Sequence, residues 1–255
     1  TKPTTATGKL FTKLTEGYTG WYANGNSKTY AIENISIRAE SIVGRTNVEV
    51  TEPFWFRDEF GENSLGRYAG STIVHQVTGG VLQNVSGTAG GLNFVPQILK
   101  EEDVSVTVNF PAALTKTQRV HILLAWQNLT STIDCTSTTT TNNGYVLKIY
   151  RTSTGTKVVQ LIKMIAGVIT SLKGIADVTL DDDTDYVFRI TRSASGVFVI
   201  YQDGVQIGTA TDTTYTTGYA GIGITNSETT EITTLDNLQI SGTRVYNKPI
   251  HRGAM

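Results

Sequence analysis

The 255-residue chain predicts an all-β protein made of two stacked antiparallel sheets. Residue usage is the first reason: 42 Thr and 25 Gly outweigh the helix formers, and Thr suits an exposed strand face while Gly suits turns and bulges. Strict alternation is the second. In EDVSVTVNF (102–110), Val104, Val106, Val108 and Phe110 point one way and Ser105, Thr107 and Asn109 the other, the period of a half-buried antiparallel strand. Third, Gly, Asn and Asp clusters recur at short, even intervals, a rhythm that implies strands following one another closely in a sandwich.

Residues 1–16 are polar and read as extended. Residues 17–39, GYTGWYANGNSKTYAIENISIRA, share a pattern with residues 218–242, GYAGIGITNSETTEITTLDNLQISG. Each opens Gly-Tyr-x-Gly, passes an Asn-Ser turn and ends on a strand of form I/L-x-N-I/L-x-I. The later copy stands where a hairpin can close a domain, so the earlier copy reads as a second closing hairpin. A two-stranded unit is marginal alone in water, and this one carries Tyr18, Trp21, Tyr22, Ile35 and Ile37, the last two on one strand face. Residues 1–53 are therefore expected to form an anchoring arm. It docks on the chain's own sheets or, as favoured here, adds strands to a neighbouring copy or another protein. The connector ESIVGRTNVEVTEP, ending at Pro53, is long enough to reach outward.

The main domain is expected over 54–245, beginning at FWFRDEF (54–60). RVHILLAWQ (119–127) is apolar on both faces and should be central. GYVLKIYR, KVVQLIKMI and GVITSLKGI follow, and DYVFRITRS alternates again. GVFVIYQDGVQIGTATD (196–212) reads as a hairpin, because Asp203-Gly204 supplies the positive φ angles of a two-residue turn. The Thr-rich stretch 128–144 buries little and reads as a long exposed loop. Residues 246–255 read as a flexible tail.

Composition excludes several function classes. Hydrophobic residues are 39% and charged residues 17%, with a net charge of −1. There is no basic stripe to neutralise phosphates, so no nucleic acid is expected. No apolar run reaches membrane-spanning length, so no membrane insertion is expected. Cys135 is the sole cysteine, which rules out an intrachain disulfide and points to assembly in a reducing cytoplasm or a bacterial setting. His75, His121 and His251 are far apart and form no metal-spaced or Ser-His-Asp pattern.

The order of strands from RDEF through GGVLQNVSG, EEDVSVTVNF, NNGYVLKIYR and DTDYVFRITRSASGVFVIYQDGVQIGTATDTTYTTGYAGIGI to LDNLQIS resembles the concanavalin A-like jelly roll of legume-type lectins, laminin G-like modules and laminarinase-type glycosidases. The resemblance spans about residues 54–242 and is most specific from Tyr186 to Ile224. The closing strand is also similar to modules of bacteriophage tail and head-fibre proteins. Glycosidases of this fold carry E-x-D-x-x-E on a strand, where two carboxylates divide the acid/base and nucleophile roles. Here Glu101 and Asp103 are followed by Val106, and these acids, lying ahead of the strand, read as a solvated turn, as does DDDTD (181–185). No enzyme activity is expected. The resemblance further implies a structural calcium ion with Asp58 and Asp236 as ligands; the alternative is a turn cap at Asp58 and a strand-end residue at Asp236. Sugar binding asks for exposed rings with a few amide or carboxylate partners, and Trp126, Gln127, Asn128, Tyr145, Tyr201 and Tyr215 are the candidates, whereas Trp21 and Trp55 read as packing residues. The expectation is a non-enzymatic structural or attachment protein of a bacteriophage virion surface. Its partners would be other virion proteins or copies of itself through the arm, together with cell-surface glycans. The alternative is a carbohydrate-binding module of a bacterial cell-surface or secreted protein.

Overall fold

The computed structural model describes residues 47–61, 64–70, 75–84, 91–112, 117–128, 142–175, 178–225 and 232–249. Residues 1–46 of the expected arm, with Tyr18, Trp21, Tyr22, Ile35 and Ile37, lie outside the described residues, as do 129–141 of the long loop, Cys135 and His251. Thr51–Tyr246 forms one compact unit; of the other unit, only the strand ends 47–50 and 247–249 are described.

Fourteen strands are described: β1 (Asn47–Asp58), β2 (Ala69–Gly70), β3 (His75–Thr78), β4 (Val81–Asn84), β5 (Gly91–Phe110), β6 (Gln118–Trp126), β7 (Gly144–Arg151), β8 (Lys157–Ile165), β9 (Val168–Ile175), β10 (Thr184–Arg192), β11 (Val197–Gln202), β12 (Val205–Thr211), β13 (Gly218–Thr225) and β14 (Thr234–Pro249). A 3-10 turn, Ser64–Arg67, precedes β2. The strands make a two-layer antiparallel sandwich. The first layer runs β2, first half of β5, β13, β6, β7, β8, β9; the second runs β12, β11, β10, second half of β5, β14, with β1 and β4 on the far side of β14 and β3 beyond β4.

The 20-residue β5 belongs to both layers. Leu99 pairs with Gly218 in the first layer, and Asp103 pairs with Ser241 and Thr191 in the second. The crossing falls at Glu101, whose φ of 58° is left-handed, opposite a register shift in β14. An extra residue there bends the strand and carries it around the edge of the core, as bulges do. Glu101 and Asp103 thus lie within a strand and not in a turn ahead of it, which corrects the sequence reading.

Alternation sets the core. Val104, Val106 and Val108 face Ile190, Phe188 and Tyr186 across the β5–β10 ladder, and all are buried between the layers. Ile122, Leu147 and Ile222 meet them from the first layer. Each such side chain contributes about 1.5–3 kcal/mol on burial. As expected, β6 is central, between β13 and β7 and buried on both faces. Its outward residues Leu123 and Trp126 join Leu92, Phe94, Val146, Ile162 and Met164 in a second apolar cluster on the far side of the first layer. Glycines leave the room for it: a Cβ on Gly144 would stand 2.7 Å from the Trp126 ring, and one on Gly221 2.9 Å from the Phe94 ring. The β11–β12 turn is as predicted, with φ 50° at Asp203 and 79° at Gly204.

Three expectations are corrected. Residues 218–242 are not a hairpin: β13 pairs with β5 and β6 in one layer and β14 with β5, β4 and β1 in the other, so this segment crosses between layers. A strand buried on both faces, as β13 is, belongs inside a sheet. Of the expected connector, the described residues 47–53 are not free but belong to β1, which pairs only with β14 among the described residues; a sheet edge tolerates proline because no ladder N–H is needed there. The C-terminal tail expected from 246 starts inside β14, which continues to Pro249.

Candidate functional site

Five sequence candidates gather around the ends of β6, β7, β8 and β13, but they close on one another. Trp126 has no exposed surface and stacks on Phe94 at 6.4 Å between ring centres. Tyr145 is also fully buried, edge-on to Phe198 and Tyr215. Its hydroxyl donates to Asp212 Oδ1 at 2.7 Å and accepts from the Tyr215 N–H at 3.0 Å. Lys163 Nζ donates to Asp212 Oδ2 at 2.5 Å and to Thr214 Oγ1 at 3.0 Å. The Tyr215 hydroxyl donates to Asn143 Oδ1 and to the Met164 carbonyl, both at 3.1 Å. Gln127 Nε2 donates to the carbonyls of Ala125 and Thr217 at 2.7 and 2.6 Å. Asn128 beside it is half-buried. Burial raises the Tyr145 phenol to about 12. Burial also works against the Asp212 charge, yet Lys163, Tyr145 and Thr214 outweigh it and hold the carboxyl well below its ordinary range.

Beneath this clasp Arg192 Nε donates to Glu102 Oε2 at 2.6 Å, with both side chains almost wholly buried. The same guanidinium donates to the carbonyls of Tyr215 and Thr216, and Glu102 Oε1 accepts the Ala125 N–H. Burial pushes the Glu102 carboxyl upward while Arg192 draws it back. The whole arrangement pins loop 212–217 onto the first layer. Trp126 and Tyr145 offer no ring face to a sugar, because their rings fill the space over Gly144 and between the layers. Glu102, the buried anchor, was hidden in sequence by its position between the exposed Glu101 and the half-buried Asp103.

The candidate calcium ligands Asp58 and Asp236 are each engaged by protein donors. Asp58 Oδ1 accepts the Phe60 N–H at 2.8 Å and Oδ2 the Tyr68 hydroxyl at 2.9 Å, with Arg67 Nη1 at 3.7 Å. Burial, then the Asp58 charge, push the Tyr68 phenol far above its ordinary value, so it remains a donor. Asp236 accepts from the N–H and side-chain amide of Asn237. Calcium takes six to eight oxygen ligands; here the Asp58 oxygens face two donors and the Arg67 cation, and the Asp236 oxygens face the two Asn237 donors. Among the described residues, no group of three or more His, Cys, Asp or Glu side chains is placed to hold a metal ion. The turn-cap alternative describes Asp58 correctly.

The outer face of the second layer is different. Phe54 and Phe56 on β1 pack against the core, so alternation turns Trp55 outward, 66% exposed. This corrects its reading as a packing residue. Trp55 borders a groove of about 330 Å³ with Asp103, Ser105, Arg189, Gln239 and Ser241. These are outward positions of neighbouring strands: Ser105 stands opposite both Arg189 and Gln239, and Asp103 opposite Ser241. Arg189 Nε and Nη2 grip Asp103 Oδ1 and Oδ2 at 2.8 and 2.6 Å, and its guanidinium lies 5.3 Å over the Tyr201 ring. Of the sequence candidates, Tyr201 is thus brought to this face and not to the clasp. The groove offers an open indole, two hydroxyls, an amide and a held carboxylate–guanidinium fork. The signal that could have found it was the triplet Phe54-Trp55-Phe56, where period two must expose the middle ring.

This architecture is the concanavalin A-like jelly roll. The chain is similar to a legume lectin-like domain from Entamoeba histolytica, with TM-score 0.55 and 13% identity over 73% of this chain and 95% of that one. It is similar to a Bacillus subtilis protein of unknown function with a galectin-like fold, with TM-score 0.53 and 11% identity over 74% and 96%. A third likeness is to the exoplasmic/lumenal domain of VIP36 in a Ca2+/Man2-bound form, with TM-score 0.54 and 11% identity over 73% and 86%. No protein-family model and no curated protein sequence matches the chain.

Proposed function

We propose that the protein is a non-catalytic carbohydrate-binding domain that holds a glycan against Trp55 on the outer face of the second layer. The exposed indole carries this reading. It is a large ring on a rigid strand, ready to cover the apolar face of a sugar, with Ser105, Gln239, Ser241 and the Arg189–Asp103 fork at hand for sugar hydroxyls. The Man2-bound form of VIP36, a neighbour in fold, supports a glycan as the ligand class. The acids argue for binding without catalysis. Both oxygens of Asp103 are held by Arg189, Glu101 accepts the Thr243 hydroxyl, and Glu102 is buried on Arg192. The setting in this proposal is a virion surface, on the likeness of the closing strand to phage fibre modules; a bacterial cell-surface or secreted module is the alternative.

The test is a glycan array followed by calorimetry on wild type and Trp55→Ala. Wild type is expected to bind a subset of neutral glycans, and the variant to lose about tenfold or more in affinity, the effect of truncating a central aromatic contact. Absence of glycan binding, equal binding by the variant, or self-association of the chain that depends on Trp55 would overturn the reading.

A further inference from the structure

Resting on that reading, we infer that the ligand is an uncharged chain of at least two sugar units that lies across Trp55, one unit on each side of the ring. A second hollow, of about 570 Å³, opens beyond the indole and is lined by Arg57, Asp58, Glu59, Gly61, Ser64 and Arg67. Trp55 is the residue shared with the 330 Å³ groove. Arg57, two residues on along β1, also points outward, so the second hollow continues along the strand direction. A single sugar stacked on the indole would fill one side and leave the other open.

The charges around both hollows are already neutralised in pairs. Arg189 holds Asp103 through two bonds, Arg57 holds Glu59 at 2.5 Å, and Arg67 stands 3.7 Å from Asp58. An anionic ligand would meet a paired carboxylate beside each guanidinium, whereas hydroxyls can bond to the exposed Glu59 and half-buried Asp103 carboxylates and to the spare guanidinium donors as they stand.

The experiment is calorimetry of the full chain with cello-, malto- and manno-oligosaccharide ladders from monosaccharide to hexasaccharide, and with oligogalacturonates as the acidic counterpart. Affinity should rise by about tenfold or more from monosaccharide to the longer members of one neutral ladder, and oligogalacturonates should bind no better. In Arg57→Ala, shown to be folded by its thermal melt, the rise with length should shrink. Glycan binding that is flat with length, a length dependence untouched in Arg57→Ala, or preference for the acidic chains would overturn the inference while leaving the glycan reading standing. Failure to bind any ladder or array glycan would overturn both.

Discussion

At the scale of single residues, two tryptophans exchange the roles expected of them, Trp126 as a binding ring and Trp55 as a packing residue. Trp126 lies in a run apolar on both faces and ends in a sealed cluster; Trp55 lies between two phenylalanines and ends in solvent. Trp126→Ala should cost about 3–5 kcal/mol in urea unfolding, and Trp55→Ala within about 0.5 kcal/mol. Arg192→Met should cost about 3–5 kcal/mol, because it strands the buried Glu102 carboxylate. Pairing it with Glu102→Leu should recover part of the loss, which the double-mutant cycle measures. Asp212 makes a pH prediction. Its folded carboxyl sits below its unfolded value, so the stability it brings is complete above about pH 4 and drains away as the pH falls from there toward the folded value. Thermal melts of Asp212→Asn should therefore lose less stability than wild type over that acid range.

At the scale of elements, β5 decides the layout. Its first half is a strand of one layer, its second half of the other, and the left-handed Glu101 makes the turn. Partners of β5 inherit its division, which is why β13 and β14, consecutive in the chain, end in different layers. Packing across β13 is close enough to exclude a side chain: a Cβ on Gly221 would lie 2.2 Å from the Asn93 carbonyl oxygen. Gly221→Ala should destabilise by about 1–3 kcal/mol, read as a lower urea midpoint with an unchanged slope. An unaffected midpoint would mean that the β5–β13 ladder is looser than it stands.

For the whole molecule, the compact unit Thr51–Tyr246 carries the core, the clasp and the Trp55 face. A chain lacking residues 1–46 should melt cooperatively and keep its glycan binding. If residues 1–53 act as the assembly arm proposed for them, the same truncation should lose association with its partners, seen by sedimentation. A truncated chain that unfolds would show that the sandwich depends on the removed segment; one that associates as before would remove the arm.

Local pattern alone determined the strand content, the central place of β6, the Asp203-Gly204 turn and the inward row Val104, Val106, Val108, because period-two alternation and positive φ are properties of neighbouring residues. It also contained the exposure of Trp55, in the alternation of β1, though the aromatic run disguised it. Only the tertiary structure decided which layer each strand joins, that 218–242 is a crossing and not a hairpin, and that Trp126 and Tyr145 are closed over. Those outcomes depend on pairing between segments far apart in the chain. The same holds for the groove: Trp55, Asp103, Arg189 and Gln239 come from four strands, and no spacing along the sequence brings them together before the sheet does.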